Sequence, residues 1–131
     1  MSGHMASTIA LAKEDLAVAK KLMAEHPRHA GFNIEQAAEK LLKAVLTAER
    51  IHFSTSHHQL GALAALLPED HPWRADLMAF DDFTSYATAG RYPKPGGGMP
   101  NDPDIAELQK GWDEVSALVD EIAGWCDEKS G

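Results

Sequence analysis

The stretch FNIEQAAEKLLKAVL, Phe32 to Leu46, decides the fold. Ile34, Ala38, Leu41, Val45 and Ala48 recur at spacings of four, three, four and three, the repeat of one helical face. Ala37, Leu42 and Leu46 widen that face beyond a single seam, as in a helix that touches more than one neighbour. Asn33 followed by Gln36 reads as a capping box, with Phe32 and Ala37 as its hydrophobic staple. On the polar side, Glu39 precedes Lys43 by one turn in the favourable order. The spacing therefore predicts a central helix from about Phe32 to Arg50 or Ile51.

Outward from that helix, the remaining periodicity is also helical. Ile9, Ala12, Leu16, Ala19 and Met23 predict a first helix from Thr8 to about Glu25, which His26-Pro27 ends. Ser56 and Gln59 form a second S-x-x-Q start, leading to a short helix carrying Leu60, Leu63, Ala64 and Leu67 and stopped by Pro68. Pro72 suits the first position of a fourth helix, with Trp73, Leu77, Phe80 and Ala87 on its apolar face. Residues 90–102 break the pattern with Pro93, Pro95, Pro100 and the triplet Gly96-Gly97-Gly98. A loop of that length is uncommon inside a compact domain. Asp102 and Pro103 then open a last helix whose Ile105, Leu108, Trp112, Val115, Val119, Ile122 and Cys126 keep an unbroken three-four alternation. The expected fold is all-α, a five-helix up-and-down antiparallel bundle in one domain over 7–131. Residues 1–6 are expected to be a disordered start, Met1 to Met5 resembling an expression scar with Met5 as the native beginning.

Composition narrows the function classes. Twelve basic against twenty acidic residues give a net charge of -8. That argues against sequence-independent binding to long nucleic acid, which depends on many Lys and Arg phosphate contacts. One cysteine excludes an intrachain disulfide, so a reducing, cytoplasmic setting is the expectation. No run approaches the ~20 apolar residues that span a bilayer, and no membrane association is expected. His52, His57, His58 and His71 have no companion cysteine and no HExxH pattern. No metal site and no cofactor are therefore expected.

Two constellations bear on chemistry. If Ser56 caps a helix, His57 and His58 fall in its first turn, where positive charge is disfavoured and a neutral imidazole can accept a proton. Arg50 is the nearest cation in sequence, and its fork of donors suits a phosphate. An arginine with a histidine is a minimal metal-free kit for cleaving RNA through its own 2′-hydroxyl. Arg50 at a helix end is also explained by the helix dipole alone. The second constellation, Arg91-Tyr92-Pro93, joins a cation and an aromatic at a helix exit. There the favoured expectation is that Tyr92 packs over the core. Asp81-Asp82 is expected on a solvated face, because neighbouring helical residues diverge.

The order of these blocks resembles a known family. Asp15-Leu16-x-x-Ala19, then Phe32…Gln36-Ala37-Ala38-Glu39-Lys40-Leu41-x-Lys43-Ala44, His58-x-Leu60 and Arg91-Tyr92-Pro93 are similar to the HEPN family across nearly the whole of residues 7 to 128. The resemblance implies a helical bundle that commonly forms homodimers. It also implies pairing with a small nucleotidyltransferase, in toxin–antitoxin arrangements, and association with nucleotide or RNA. Many members are metal-independent ribonucleases with an Arg-x(4–6)-His motif. Arg50 and His57 have that spacing, whereas His58 fits the His-x-Leu pattern with one residue more between. Catalytic candidates are thus Arg50 with His58 or His57, and ligand-binding candidates are Lys43, Arg91 and Tyr92. The leading expectation is a binding partner of a nucleotidyltransferase; the alternative is an endoribonuclease using the Arg/His pair.

Overall fold

The computed structural model of the chain describes residues 2–54, 56, 59–82 and 92–130, the side chains of 82 and 130 excepted. Among the described residues the regular structure is five α-helices and one 3-10 turn, with no strand. The long elements are α1 (Gly3–Leu22), α2 (Pro27–Ala48) and α5 (Ile105–Ser130). Between the last two lie the short α3 (Leu60–Ala64) and α4 (Arg74–Met78), then a 3-10 turn over Ala79–Asp82.

Helix α2 occupies the centre. Ile34, Ala38, Leu41 and Val45 are fully buried, and so are Ala37, Leu42 and Leu46 of the widened face. Helices α1 and α5 both pack on α2 and on each other, so the wide stripe has two long neighbours. The α5 seam closes the same core through Leu108, Val115, Val119, Ile122 and Cys126. Trp112 anchors it from the rim, its indole Nε1–H donating to the Leu16 carbonyl at 2.7 Å.

Several helix starts differ from the sequence expectation, each for a local reason. Ser2 caps α1 by accepting the Met5 N–H at 3.1 Å, so the helix begins at Gly3 rather than Thr8. Residues 3–6 are helical instead of a disordered start, and Met5 is buried. Pro27 both ends the first turn and supplies the first residue of α2, where its missing N–H costs nothing. Asn33 is thus one and a half turns inside the helix, and its side chain donates back to the His29 carbonyl instead of capping. Gln36 donates to the buried Glu35 carboxylate at 2.8 Å. Helix α3 begins at Leu60, not Ser56; Ser56 stands in a turn with its hydroxyl 2.8 Å from that of Ser54. Pro72 precedes α4 by two residues, within a pair of tight turns over 68–74. The expected extension of the fourth helix to Ala87 falls outside the described residues. At α5 the cap is Asp104, which accepts the Ala106 N–H at 2.8 Å. Asp102 pairs instead with Arg28 at the start of α2 (3.3 Å).

Asp81 is exposed as expected, but it is not idle. Its Oδ1 accepts the Gly61 N–H at 2.9 Å, giving α3 a cap from a residue twenty positions away. That bond holds α3 and the 3-10 turn together beneath the end of α2.

Candidate functional site

The C-terminal half of α2 carries Lys40, Lys43 and Thr47 at spacings of three and four, and Arg50 follows Thr47 by three. The side chains of Lys40, Lys43 and Thr47 share one edge of the helix, and Arg50 lies beyond its end. Beside them lies a cleft of about 160 Å³, walled by Lys40, Lys43 and Thr47 of α2, Thr8 and His4 of α1, and Phe53. Drug-sized ligands need roughly 300–1,000 Å³. The cleft therefore matches a phosphate or a fragment of a nucleotide better than a whole one.

Both lysines are tethered. Lys40 Nζ pairs with Asp15 of α1, and Lys43 Nζ lies 3.3 Å from Glu39 Oε2, a buried carboxylate. An ammonium has three donors, so each pairing leaves capacity for a further acceptor. The pairings fix where the two cations stand. They also show why the acidic and basic residues of the motif blocks recur together: Asp15 and Lys40 tie α1 to α2.

Arg50 is set in an unusual backbone. Its φ is 58°, and no other non-glycine described residue has positive φ. The Arg50 N–H bonds to the Thr47 carbonyl and the Ile51 N–H to the Leu46 carbonyl. Those two bonds are the Schellman ending, with Arg50 in the position that glycine usually fills. The side chain is exposed past the end of the helix.

Directly before it, Glu49 closes α2 and is gripped from two other elements. His71 Nε2 lies 3.2 Å from Glu49 Oε2, and Lys129 Nζ forms a close ion pair with Oε1. The His71 contact is too bent for a directed hydrogen bond, so charge and dipole carry it. His71 Nδ1 accepts the Trp73 N–H at 3.2 Å, which places the ring proton on Nε2, facing the carboxylate. Trp125 meets His71 and Trp73 edge-on, with ring centroids 5.5 and 6.5 Å apart.

Of the sequence-derived candidates, Lys43 walls the cleft, while Arg50 stands exposed beyond the end of α2 and is not one of its walls. His57, His58 and Arg91 lie outside the described residues. Tyr92 is 66% exposed and does not pack over the core. Glu49, His71 and Lys129 were not singled out as a group by the sequence, and no periodic signal connects them. Among the described residues no group of three His, Cys, Asp or Glu side chains is placed to hold a metal ion. No helix among them is long and apolar enough to cross a membrane.

The HEPN domain model matches residues 5–122. The chain belongs to the HEPN domain family. Two solved structures agree on the fold. TT1696 from Thermus thermophilus is 24% identical, with a TM-score of 0.74 over 98% of this chain and 99% of its own. ST0689, described as an archaeal HEPN homologue, is 17% identical, with a TM-score of 0.66 over 93% and 97%. No curated protein matches the chain. Of the HEPN blocks, Asp15-Leu16-x-x-Ala19 falls on α1 and Phe32 to Ala44 on α2.

Proposed function

We propose that this HEPN protein is a binding module rather than a nuclease in its own right. It acts as the homodimeric partner of a small nucleotidyltransferase, in a toxin–antitoxin-like pair within the cytoplasm. It contacts a nucleotide or RNA phosphate along the edge that carries Lys43 and Arg50. The observation that supports this most is the pair of lysines, Lys40 and Lys43, walling a phosphate-sized cleft, with Arg50 exposed beyond the end of the same helix. The net charge of -8 keeps such contact local and weak, suited to a phosphate presented by a partner.

The test is a titration of a fluorescent single-stranded oligoribonucleotide at low salt. Wild type binds with an affinity that falls steeply as salt rises, and Lys43→Ala and Arg50→Ala each weaken it and flatten the salt slope by about one ion. Variants that bind as wild type would remove the edge from the account.

A second reading, a metal-independent endoribonuclease using Arg50 with His58 or His57, is favoured by one observation. A left-handed arginine is a backbone outlier, and such outliers cluster at functional sites. Against it stands the net charge of -8, which disfavours capture of long RNA.

A further inference from the structure

We infer that His71 and Lys129 are positioning residues for Arg50, acting through the Glu49 carboxylate. The inference rests on the reading of Arg50 as a phosphate contact, but its main test needs no ligand.

A carboxylate at the C-terminus of a helix faces the negative end of the helix dipole. Glu49 takes that place at the end of α2, and the last turn of α2 has no basic residue to offset it. Its position is unfavourable for the helix itself, so the compensation must come from outside. It comes from the turn before α4, through His71, and from the last turn of α5, through Lys129. The His71 side chain is 4% exposed; its Nδ1 accepts the Trp73 N–H and its Nε2 stands 3.2 Å from the Glu49 carboxylate. Lys129 also leans over the Trp125 ring, 5.5 Å from its centroid. Glu49 is therefore clamped by two elements remote in sequence.

The next residue is Arg50, which must enter the left-handed region without glycine's freedom. With Glu49 fixed, the chain leaves the helix at one set angle, and the Thr47 and Leu46 carbonyls receive the Arg50 and Ile51 N–H groups. Released, the last turn can fray and Arg50 can relax to a right-handed or extended backbone. The clamp thus presents the guanidinium in one direction beyond the end of α2.

The experiment is a set of double-mutant comparisons by urea unfolding of the full chain. Arg50→Gly relieves the left-handed strain and raises the folding constant of wild type about two- to fivefold. In Lys129→Met and in His71→Phe that gain disappears, because Arg50 is no longer held there. Lys129→Arg, which keeps the cation, restores it. Lys129 is partly exposed, so Lys129→Met folds even if His71→Phe does not. The backbone chemical shifts of Arg50 move away from left-handed values in Lys129→Met and return in Lys129→Arg. An undiminished gain in the Met and Phe backgrounds, or unchanged Arg50 shifts, would overturn the inference. With the oligoribonucleotide probe, Lys129→Met weakens binding toward the Arg50→Ala level. If Arg50→Ala itself leaves that binding untouched, the phosphate reading of Arg50 fails while the unfolding data still decide the clamp.

Discussion

Substituting Gly61 and Asp81 singly and together gives a sharp check on how the short helices are assembled. In a helix interior alanine is favoured over glycine by about 1 kcal/mol, so Gly61→Ala would ordinarily stabilise α3. Here a Cβ on residue 61 would lie 2.9 Å from Asp81 Cγ and 3.0 Å from both carboxylate oxygens. Asp81 has to move, and the 2.9 Å bond it accepts from the Gly61 N–H is lost. A side-chain cap is worth typically ~1 kcal/mol. The two effects offset each other, and Gly61→Ala should leave stability within about 0.5 kcal/mol of wild type, the spread of an ordinary surface change. Asp81→Ala alone should cost ~1 kcal/mol by removing the cap. Once Asp81 is alanine, Gly61→Ala meets no clash and should recover ~1 kcal/mol by propensity alone. The cycle therefore predicts a coupling of ~1 kcal/mol between residues that are twenty apart in sequence. Urea unfolding of the four proteins at one temperature measures it, with equal slopes as the control for two-state behaviour. If Gly61→Ala stabilises wild type by the full propensity gain, the two changes are additive and Asp81 does not cap α3.

Three further outcomes are expected. Trp112→Phe loses the indole bond to the Leu16 carbonyl and part of the Lys20 contact over the ring at 4.2 Å, and should cost about 1 kcal/mol in urea unfolding. Burial, and secondarily the Asp127 carboxylate, push the Cys126 thiol above its ordinary value of 9.0. Because the folded chain holds that proton more tightly, stability from this group is complete below the unfolded value and is lost as pH rises through the folded one. Unfolding followed between neutral and alkaline pH should show that decline, and Cys126→Ala should reduce it. Sedimentation across a range of concentrations should give about twice the chain mass of 14.2 kDa; a single species at the chain mass even in concentrated solution would refute the homodimer.

The α5 seam and the wide central stripe meet each other in the fold, and Leu108, Val115, Val119 and Ile122 close on α2 and α1. Among the described residues, the large apolar side chains left exposed are Leu11 and Val18 of α1, Leu66, Met78 of α4, Tyr92, Met99 and Ile105. These are the described apolar groups on which a homodimer could draw.

The fold was legible because its information is periodic. Ile34 to Leu46 and Leu108 to Cys126 repeat every three or four residues, and only a helix puts such residues on one side. Helix ends were less legible, because several residues nearby can serve equally well. Asn33 and Asp102 are good caps, yet Pro27 starts α2 earlier and Asp104 starts α5 later. The choice is made by tertiary partners: Asp102 is drawn to Arg28, and Ser56 to Ser54. That Lys40 and Lys43 stand on one side of α2 could be anticipated from their spacing. The Glu49–His71–Lys129 clamp could not, since it joins one residue from each of three elements and leaves no repeat. Nor could the left-handed backbone at Arg50, which replaces the glycine that would have announced it.

Whether the chain binds phosphate without cutting RNA is decided by one assay. End-labelled single-stranded RNA is incubated with the purified chain in the presence of a chelator, alongside Arg50→Lys and His58→Ala. The RNA should be retarded by wild type but intact, with retardation reduced in Arg50→Lys because a point charge cannot reproduce the guanidinium fork. Products ending in 2′,3′-cyclic phosphate, formed by wild type and reduced roughly 10²–10⁴-fold in His58→Ala, would contradict it and establish the nuclease instead.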